Sequence, residues 1–238
     1  MVESVPLKPQ MNTDKHRWIH LCASVFICGS ILLGQGKHPL TGRVIAPVMG
    51  WQGADWLERP ERASEENTAA AVEALDIKPG MVVADVGAGS GYYTERLARK
   101  ATKVFATDIQ PEMLELLKKR KLANVETVLA TADDPKLPAG ALDLILMVDV
   151  YHELAQPQSM LRKLRAALKP TGRLVLLEFR KEDPSVPIRI EHKMTVAEAR
   201  TEVEAEGYRL DKTDERLPWQ HILIFKLSAK PVDNSLRR

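Results

Sequence analysis

From Met81 onward the chain alternates short, unbroken apolar runs with longer stretches whose apolar positions recur at helical spacing. The runs "MVVADV" (81–86), "KVFATD" (103–108), "VETVLA" (125–130), "LDLILMVD" (142–149) and "RLVLLEF" (173–179) predict strands, the fourth apolar enough to be central. Between them "YYTERLARK" (92–100), "PEMLELLKKRK" (111–121) and "QSMLRKLRAAL" (158–168) predict helices. Pro111 opens the second, which carries Met113, Leu114, Leu116 and Leu117 on its apolar side, and Lys169-Pro170-Thr171-Gly172 stops the third. Alternation of this kind predicts an α/β fold, a mostly parallel sheet doubly wound by helices on both faces.

The two ends of this region differ. Upstream, roughly 61–75 predicts a helix with acidic first turns, ended by Lys78-Pro79-Gly80. Downstream, 195–208 predicts a helix with Thr195 as N-cap, followed by strands at 209–215 and 221–227. Only "RLPWQ" joins those strands, too little for a parallel crossover, so the last strand must run antiparallel to the one before it. The Gly- and Pro-containing stretch from Lys37 has no period, and 37–60 reads as an extended arm. The folded domain is then 61–227, and 228–238 is a loose polar tail.

Residues 1–36 carry a different pattern. Lys8, Lys15 and Arg17 precede an apolar stretch from Trp18 to Leu33, and Gly34-Gln35-Gly36 follows with small residues at the spacing a signal peptidase reads. The apolar stretch is shorter than the ~20 residues of a membrane span. A cleaved signal peptide, and hence export to a periplasm or medium, is the first expectation; an uncleaved membrane anchor is the second. Both cysteines, Cys22 and Cys28, lie in this leader, so the remaining chain has no thiol nucleophile, disulfide or cysteine zinc site. Net charge is +2, which gives no bulk attraction for a polyanion, and nucleic acid is not expected as a partner.

The candidate chemistry begins at "ADVGAGSGYYTERLA". Asp85 lies near the end of the first strand, and Gly87, Gly89 and Gly91 fill the turn into a helix, where a backbone without Cβ atoms can approach a ligand closely. The spacing is D-x-G-x-G-x-G, not the G-x-G-x-x-G of dinucleotide binders. Asp108, at the end of the second strand, can accept both hydroxyls of a ribose, and Ile109 beside it can lie on an adenine face. After the third strand, Asp133 is placed for an adenine amino group, with Asp134 as runner-up, and the Ala132 N–H can meet the ring.

With Asp85-Val86-Gly87-Ala88-Gly89-Ser90-Gly91, Asp108, Asp133 and the terminal antiparallel hairpin, the sequence resembles the class I S-adenosylmethionine-dependent methyltransferases over roughly 61–227. That resemblance implies a seven-stranded sheet in the order 3-2-1-4-5-7-6 with only strand 7 reversed. It implies S-adenosylmethionine as cofactor, with its methionine end at Gly87–Gly91, its ribose at Asp108 and its adenine at Asp133.

Ligands of such sheets bind beyond the carboxyl ends of the parallel strands. Asp149, Tyr151, His152 and Glu153 follow the fourth strand to that edge, Glu178 and Arg180 follow the fifth, and His192 and Lys193 lie in the next loop. Because the last strand is reversed, its start, His221, lies there too, so His152, His192 and His221 are expected to converge. His152, Glu153 and His221 are the candidate catalytic residues, with His152 as general base; Asp149 joins the cofactor set. The histidines with Glu178 or Glu153 could instead hold a divalent metal, but no metal ligand is assigned. The expected activity is N- or O-methylation of a small-molecule or lipid-like acceptor. The alternatives are a nicotinamide-dependent oxidoreductase on a related sheet and a non-catalytic exported binding protein. Membrane association through the leader and the oligomeric state are left open.

Overall fold

In a computed structural model that describes residues 36–229, the apolar run of β4 (Leu142–Val148) lies at the centre of the sheet, flanked by β1 (Val82–Val86) and β5 (Leu168–Arg180). β2 (Lys103–Asp108) and β3 (Val125–Leu129) extend the β1 side, all parallel. On the other side β8 (Gln220–Leu227) runs antiparallel to β5, and β7 (Tyr208–Asp214) pairs antiparallel with β8. The order β3-β2-β1-β4-β5-β8-β7 is the expected one, with a single reversed strand. The sheet has one strand more than expected, the two-residue β6 (Lys193–Met194), parallel to the end of β5 at Phe179 and Arg180. Two residues carry no period, so the sequence pattern holds no sign of it.

Alternate residues of each central strand enter separate cores. Ala84, Ile145, Met147, Leu174 and Leu176 pack with Met160, Leu161, Leu164, Ala199 and Val203 of α6 (Pro157–Ala167) and α7 (Val196–Glu204). Val83, Leu144, Leu146, Val175 and Leu177 pack on the opposite face with Ala71, Val72 and Leu97 of α3 (Thr68–Ala74) and α4 (Tyr92–Ala98). This two-sided burial is why the strands read as continuous apolar runs. α5 (Pro111–Lys118) seats Leu114 and Leu117 on Ala88 and Ala106. Thr195 caps α7 through a full capping box with Glu198.

Two expectations upstream of β1 are corrected. The single helix read at 61–75 is two, α2 (Arg62–Glu65) and α3, because Asn67 adopts φ 47° and turns its side chain to the Ala70 N–H at 3.4 Å. The stretch 37–60 is not extended throughout. It forms an antiparallel bridge between Lys37 and Val44, a 3-10 turn at Trp51–Gly53 and the short α1 (Ala54–Leu57). Its anchor is long-range: the buried Arg43 guanidinium forks onto both oxygens of the buried Glu202 in α7, at 3.1 and 2.9 Å. Arg43 Nη1 also donates to the His152 carbonyl at 3.0 Å, as does the Ala46 N–H at 3.1 Å. The arm therefore braces the turn that carries the candidate catalytic residues. The leader read at 1–36 lies outside the described residues except for Gly36, as does the tail beyond Ala229.

Candidate active site

The turn after β1 is pinned to β2. Gly87 and Ala88 N–H groups donate to the Thr107 carbonyl at 2.8 and 2.9 Å, and the Gly89 N–H donates to Asp108 Oδ2 at 2.9 Å. The Gln110 N–H holds the other oxygen, Oδ1, at 2.9 Å. Each oxygen of Asp108 keeps a second lone pair, which is what a pair of ribose hydroxyls requires. Burial raises the Asp108 pKa against these backbone bonds. Gly87 (φ 73°) and Gly91 (φ 93°) are positions no other residue fills easily. A Cβ would fall 2.5 Å from Val150 Cγ2 at the first and 2.0 Å from Leu117 Cδ1 at the second.

Asp85 lies behind this turn, fully buried, its Oδ2 accepting from Thr94 Oγ1 at 2.6 Å. Burial pushes its pKa to about 6; the Thr94 bond opposes this and the Asp108 charge adds to it. A hollow at this point is lined by Leu57, Arg62, Asp85, Gly87, Tyr92 and Tyr93, among others. Asp149, at φ 54° past the end of β4, accepts from Gln220 Nε2 at 2.8 Å, and its buried Oδ1 has no partner. Burial raises its pKa well above the ordinary value, with Glu66 and Glu178 adding and Arg62 opposing. Ile109 is exposed beside Asp108, while Ala132 and Asp133 are exposed on the loop after β3, where Asp133 Oδ1 accepts from Thr131 Oγ1 at 2.8 Å.

The turn after β4 (Tyr151–Glu153, 3-10) brings in the second half of the site. His152 is buried, and its Nδ1 lies 2.6 Å from Oε2 of the fully buried Glu178 on β5. The other Glu178 oxygen accepts from the Tyr151 N–H at 2.9 Å. His152 Nε2 faces His192 Nδ1 at 3.1 Å, and Glu153 Oε1 stands 3.8 Å from the former and 3.7 Å from the latter. Burial opposes charge on His152, but Glu178 outweighs it and the pKa is raised. His192 falls to about 4, from burial and then the neighbouring His152, and burial lifts Glu153 to about 7.

Strand direction does bring His221 to this edge, paired across from Glu178. The three histidines thus share one edge as expected, but the His221 ring does not join the other two, and its candidate catalytic place beside His152 is corrected. Nδ1 faces the Glu215 oxygens at 2.7 and 2.9 Å and Nε2 faces Glu182 Oε2 at 2.9 Å, so acids flanking the strand claim both nitrogens. Arg180 is likewise drawn to Glu215 at 2.7 Å, and Lys193 is buried on the carbonyls of Asp183 and Val186.

Sequence reading also missed several positioning residues. Gln110 is clamped by the arm, its Nε2 on the Met49 carbonyl at 2.9 Å and its Oε1 on the Trp51 N–H at 2.8 Å. The Met49 N–H in turn bonds the Glu153 carboxylate. Arg120, at the end of the helix predicted over 111–121, donates to the Ser90 carbonyl at 2.8 Å and to Glu95 at 2.6 Å, and pairs with Glu58. The Asp-x-Gly spacing could have flagged the turn they brace; nothing local flagged them. The rings of Trp51 and Trp56 are partly exposed, the latter under the Arg59 guanidinium at 3.7 Å.

Residues 84–176 match the family described as a methyltransferase domain. The chain is 38% identical over 112 residues to the demethylmenaquinone methyltransferase of Tropheryma whipplei (strain Twist), covering 46% of each protein. It is 28% identical over 130 residues to the ubiquinone biosynthesis O-methyltransferase of Xanthomonas campestris pv. campestris (strain B100), covering 53% of this chain and 54% of that one. The match thus spans about half the length of these relatives. A SAM-dependent methyltransferase structure from Aquifex aeolicus superposes with a TM-score of 0.69 at 26% identity, covering 75% of this chain and 98% of that one. The DhpI–SAH complex shares the fold, with a TM-score of 0.58 at 19% identity, covering 76% of this chain and 94% of that one. Residues 84–176 carry a methyltransferase domain, and the fold is that of the class I S-adenosylmethionine-dependent methyltransferases. The glycine turn and the doubly anchored Asp108 fit that cofactor, and the nicotinamide alternative is set aside.

Proposed function

We propose that this protein transfers a methyl group from S-adenosylmethionine to a hydroxyl of a small, quinone-like or otherwise lipid-like acceptor. The observation that carries this reading is the buried Glu178–His152 pair, whose second nitrogen faces His192 on the same strand edge as the Asp108 cradle. The quinone-pathway names of two relatives point to the same acceptor class. The bound cofactor supplies an electrophilic methyl carbon on a sulfonium. Asp108 and the turn at Gly87–Gly91 hold its ribose and methionine ends. Glu178 accepts the His152 Nδ1–H, which leaves Nε2 as the basic atom facing the acceptor side. The acceptor hydroxyl loses its proton at this cluster as its oxygen bonds to the methyl carbon and the carbon–sulfur bond breaks toward sulfur. With so reactive a donor, alignment supplies much of the rate.

The test is calorimetric titration with S-adenosylmethionine, followed by a transfer assay with radiolabelled methyl donor on hydroxylated quinols and simple catechols. Binding that falls in Asp108→Ala, and label in an ether-linked product, support the reading. Absence of cofactor binding overturns it, and label on carbon or nitrogen overturns the hydroxyl assignment. Residues 1–36 extend the proposal to location, as an export signal or an anchor. Intact mass and cell fractionation test this, and a full-length protein found free in the cytosol refutes it.

A further inference from the structure

His152 Nε2, His192 Nδ1 and Glu153 Oε1 form a triangle with sides of 3.1, 3.8 and 3.7 Å. The circle through those corners has a radius of about 2.1 Å, so one point lies at a zinc–nitrogen or zinc–oxygen bond length from all three atoms. At such bond lengths a tetrahedral ion sets its ligands about 3.3 Å apart, whereas an octahedral face sets them about 2.9 Å apart. Two of the three sides exceed both values, which places the set on the tetrahedral-to-trigonal side. It also leaves a coordination position for an exogenous ligand.

The support behind the triangle is of the kind metal ligands need. A ligating imidazole donates its other nitrogen to a carboxylate, which fixes tautomer and ring angle. His152 does this to Glu178, and Glu178 is itself held by the Tyr151 N–H. Glu153 is steadied by the Met49 N–H. His152 and Glu153 come from the turn after β4, and His192 from the 3-10 turn Ile190–His192 before β6, so two separate segments meet there. The side chains of His192 and Glu153 keep 16% and 14% exposure, so the cluster is reachable from outside. The buried Arg43 bonds the His152 carbonyl and not its ring.

We propose that His152, Glu153 and His192 bind one divalent transition-metal ion, zinc by preference, with Glu178 as the positioning carboxylate behind His152. The ion's use rests on the methyl-transfer reading. With the ion bound, His152 would serve as ligand in place of base, and the ion would acidify an acceptor hydroxyl held in the open position, whose proton would pass to solvent as its oxygen takes the methyl carbon from sulfur.

The experiment uses the full-length chain, stripped with chelator and titrated with ZnCl2 by calorimetry, with CoCl2 as optical probe. One equivalent of zinc and intense visible bands of tetrahedral cobalt are expected. His192→Gln and Glu153→Gln should each weaken zinc uptake at least about tenfold. Melting temperature and S-adenosylmethionine affinity should stay near those of the parent. No zinc uptake, or uptake unchanged in His192→Gln (a sign of binding at Cys22 and Cys28), overturns the site. Zinc uptake without cofactor binding supports the site and defeats only the methyl-transfer reading.

Discussion

His152 and Glu178 are partners across two adjacent strand ends, Nδ1 to Oε2 at 2.6 Å, with neither side chain appreciably exposed. Because the same carboxylate takes the Tyr151 N–H, it holds two consecutive residues of the turn after β4. A neutral His152 is thereby confined to one tautomer, with its Nε2 lone pair turned to His192 Nδ1.

Glu178→Gln keeps the shape but offers an amide N–H to Nδ1, which moves the ring proton to Nε2. We expect turnover to fall about 10- to 100-fold while S-adenosylmethionine affinity changes less than about twofold. Steady-state kinetics and calorimetry on one preparation check this, and the nitrogen shifts of His152 report the tautomer directly. A parallel loss of cofactor affinity would place Glu178 in cofactor binding instead.

The Asp85 carboxyl has a folded pKa of about 6 against an ordinary 3.8. A raised acid contributes stability that is complete below the ordinary value and is lost as pH rises through the folded one. The cofactor-free protein should therefore lose on the order of 2–3 kcal/mol between pH 4 and 7 from this group. Asp85→Asn, which can still accept from Thr94, should flatten that slope and be the more stable form at pH 8. Denaturant unfolding across pH measures it, and an unchanged slope refutes the assignment.

Gly91 and Gly80 both have φ 93°, but only Gly91 faces neighbours, with Leu117 in the way of a Cβ; Gly80 faces open space. Alanine at Gly80 should cost about 1 kcal/mol of backbone strain alone. Alanine at Gly91 should cost about 1–3 kcal/mol more, because Leu117 is a core residue that must shift. Thermal melts of the two variants give the comparison, and equal losses contradict it.

Arg43→Met leaves Glu202 buried among His38, Thr41 and Tyr151 without its guanidinium partner. It should destabilise by about 3–5 kcal/mol, and adding Glu202→Met should recover much of that loss. A double variant no better than the single one would show that the arm needs the ion pair itself. Turnover should remain low in both, because the His152 carbonyl has lost its Arg43 donor.

The central sheet was legible because its buried strands are apolar runs and the crossovers from β1 to β2, β2 to β3 and β4 to β5 are periodic helices. Asp85, the glycine turn and Asp108 were legible because their chemistry lies at fixed offsets from those strands. What escaped depends on partners distant in sequence: Arg43 with Glu202, Gln110 with Met49, Arg120 with Ser90. Glu178 was placed on the right edge without its role, since nothing in "LLEFR" says which residue faces it. His221 was placed on the right edge too, but Glu182 sits in a stretch without period and Glu215 at the end of a predicted strand, and their competition for its ring was invisible.

The peptide units of Met49 touch both halves of the site, its N–H on Glu153 and its carbonyl on Gln110, while Leu57 further along stands over Gly89. A ligand that displaces the arm at Gly89 and Gln110 therefore perturbs Glu153 without touching it. By thermodynamic reciprocity, an acceptor that moves Glu153 changes the cofactor's affinity by the same factor. The affinities of the two ligands are thus tied together through one strip of main chain that runs between their sites.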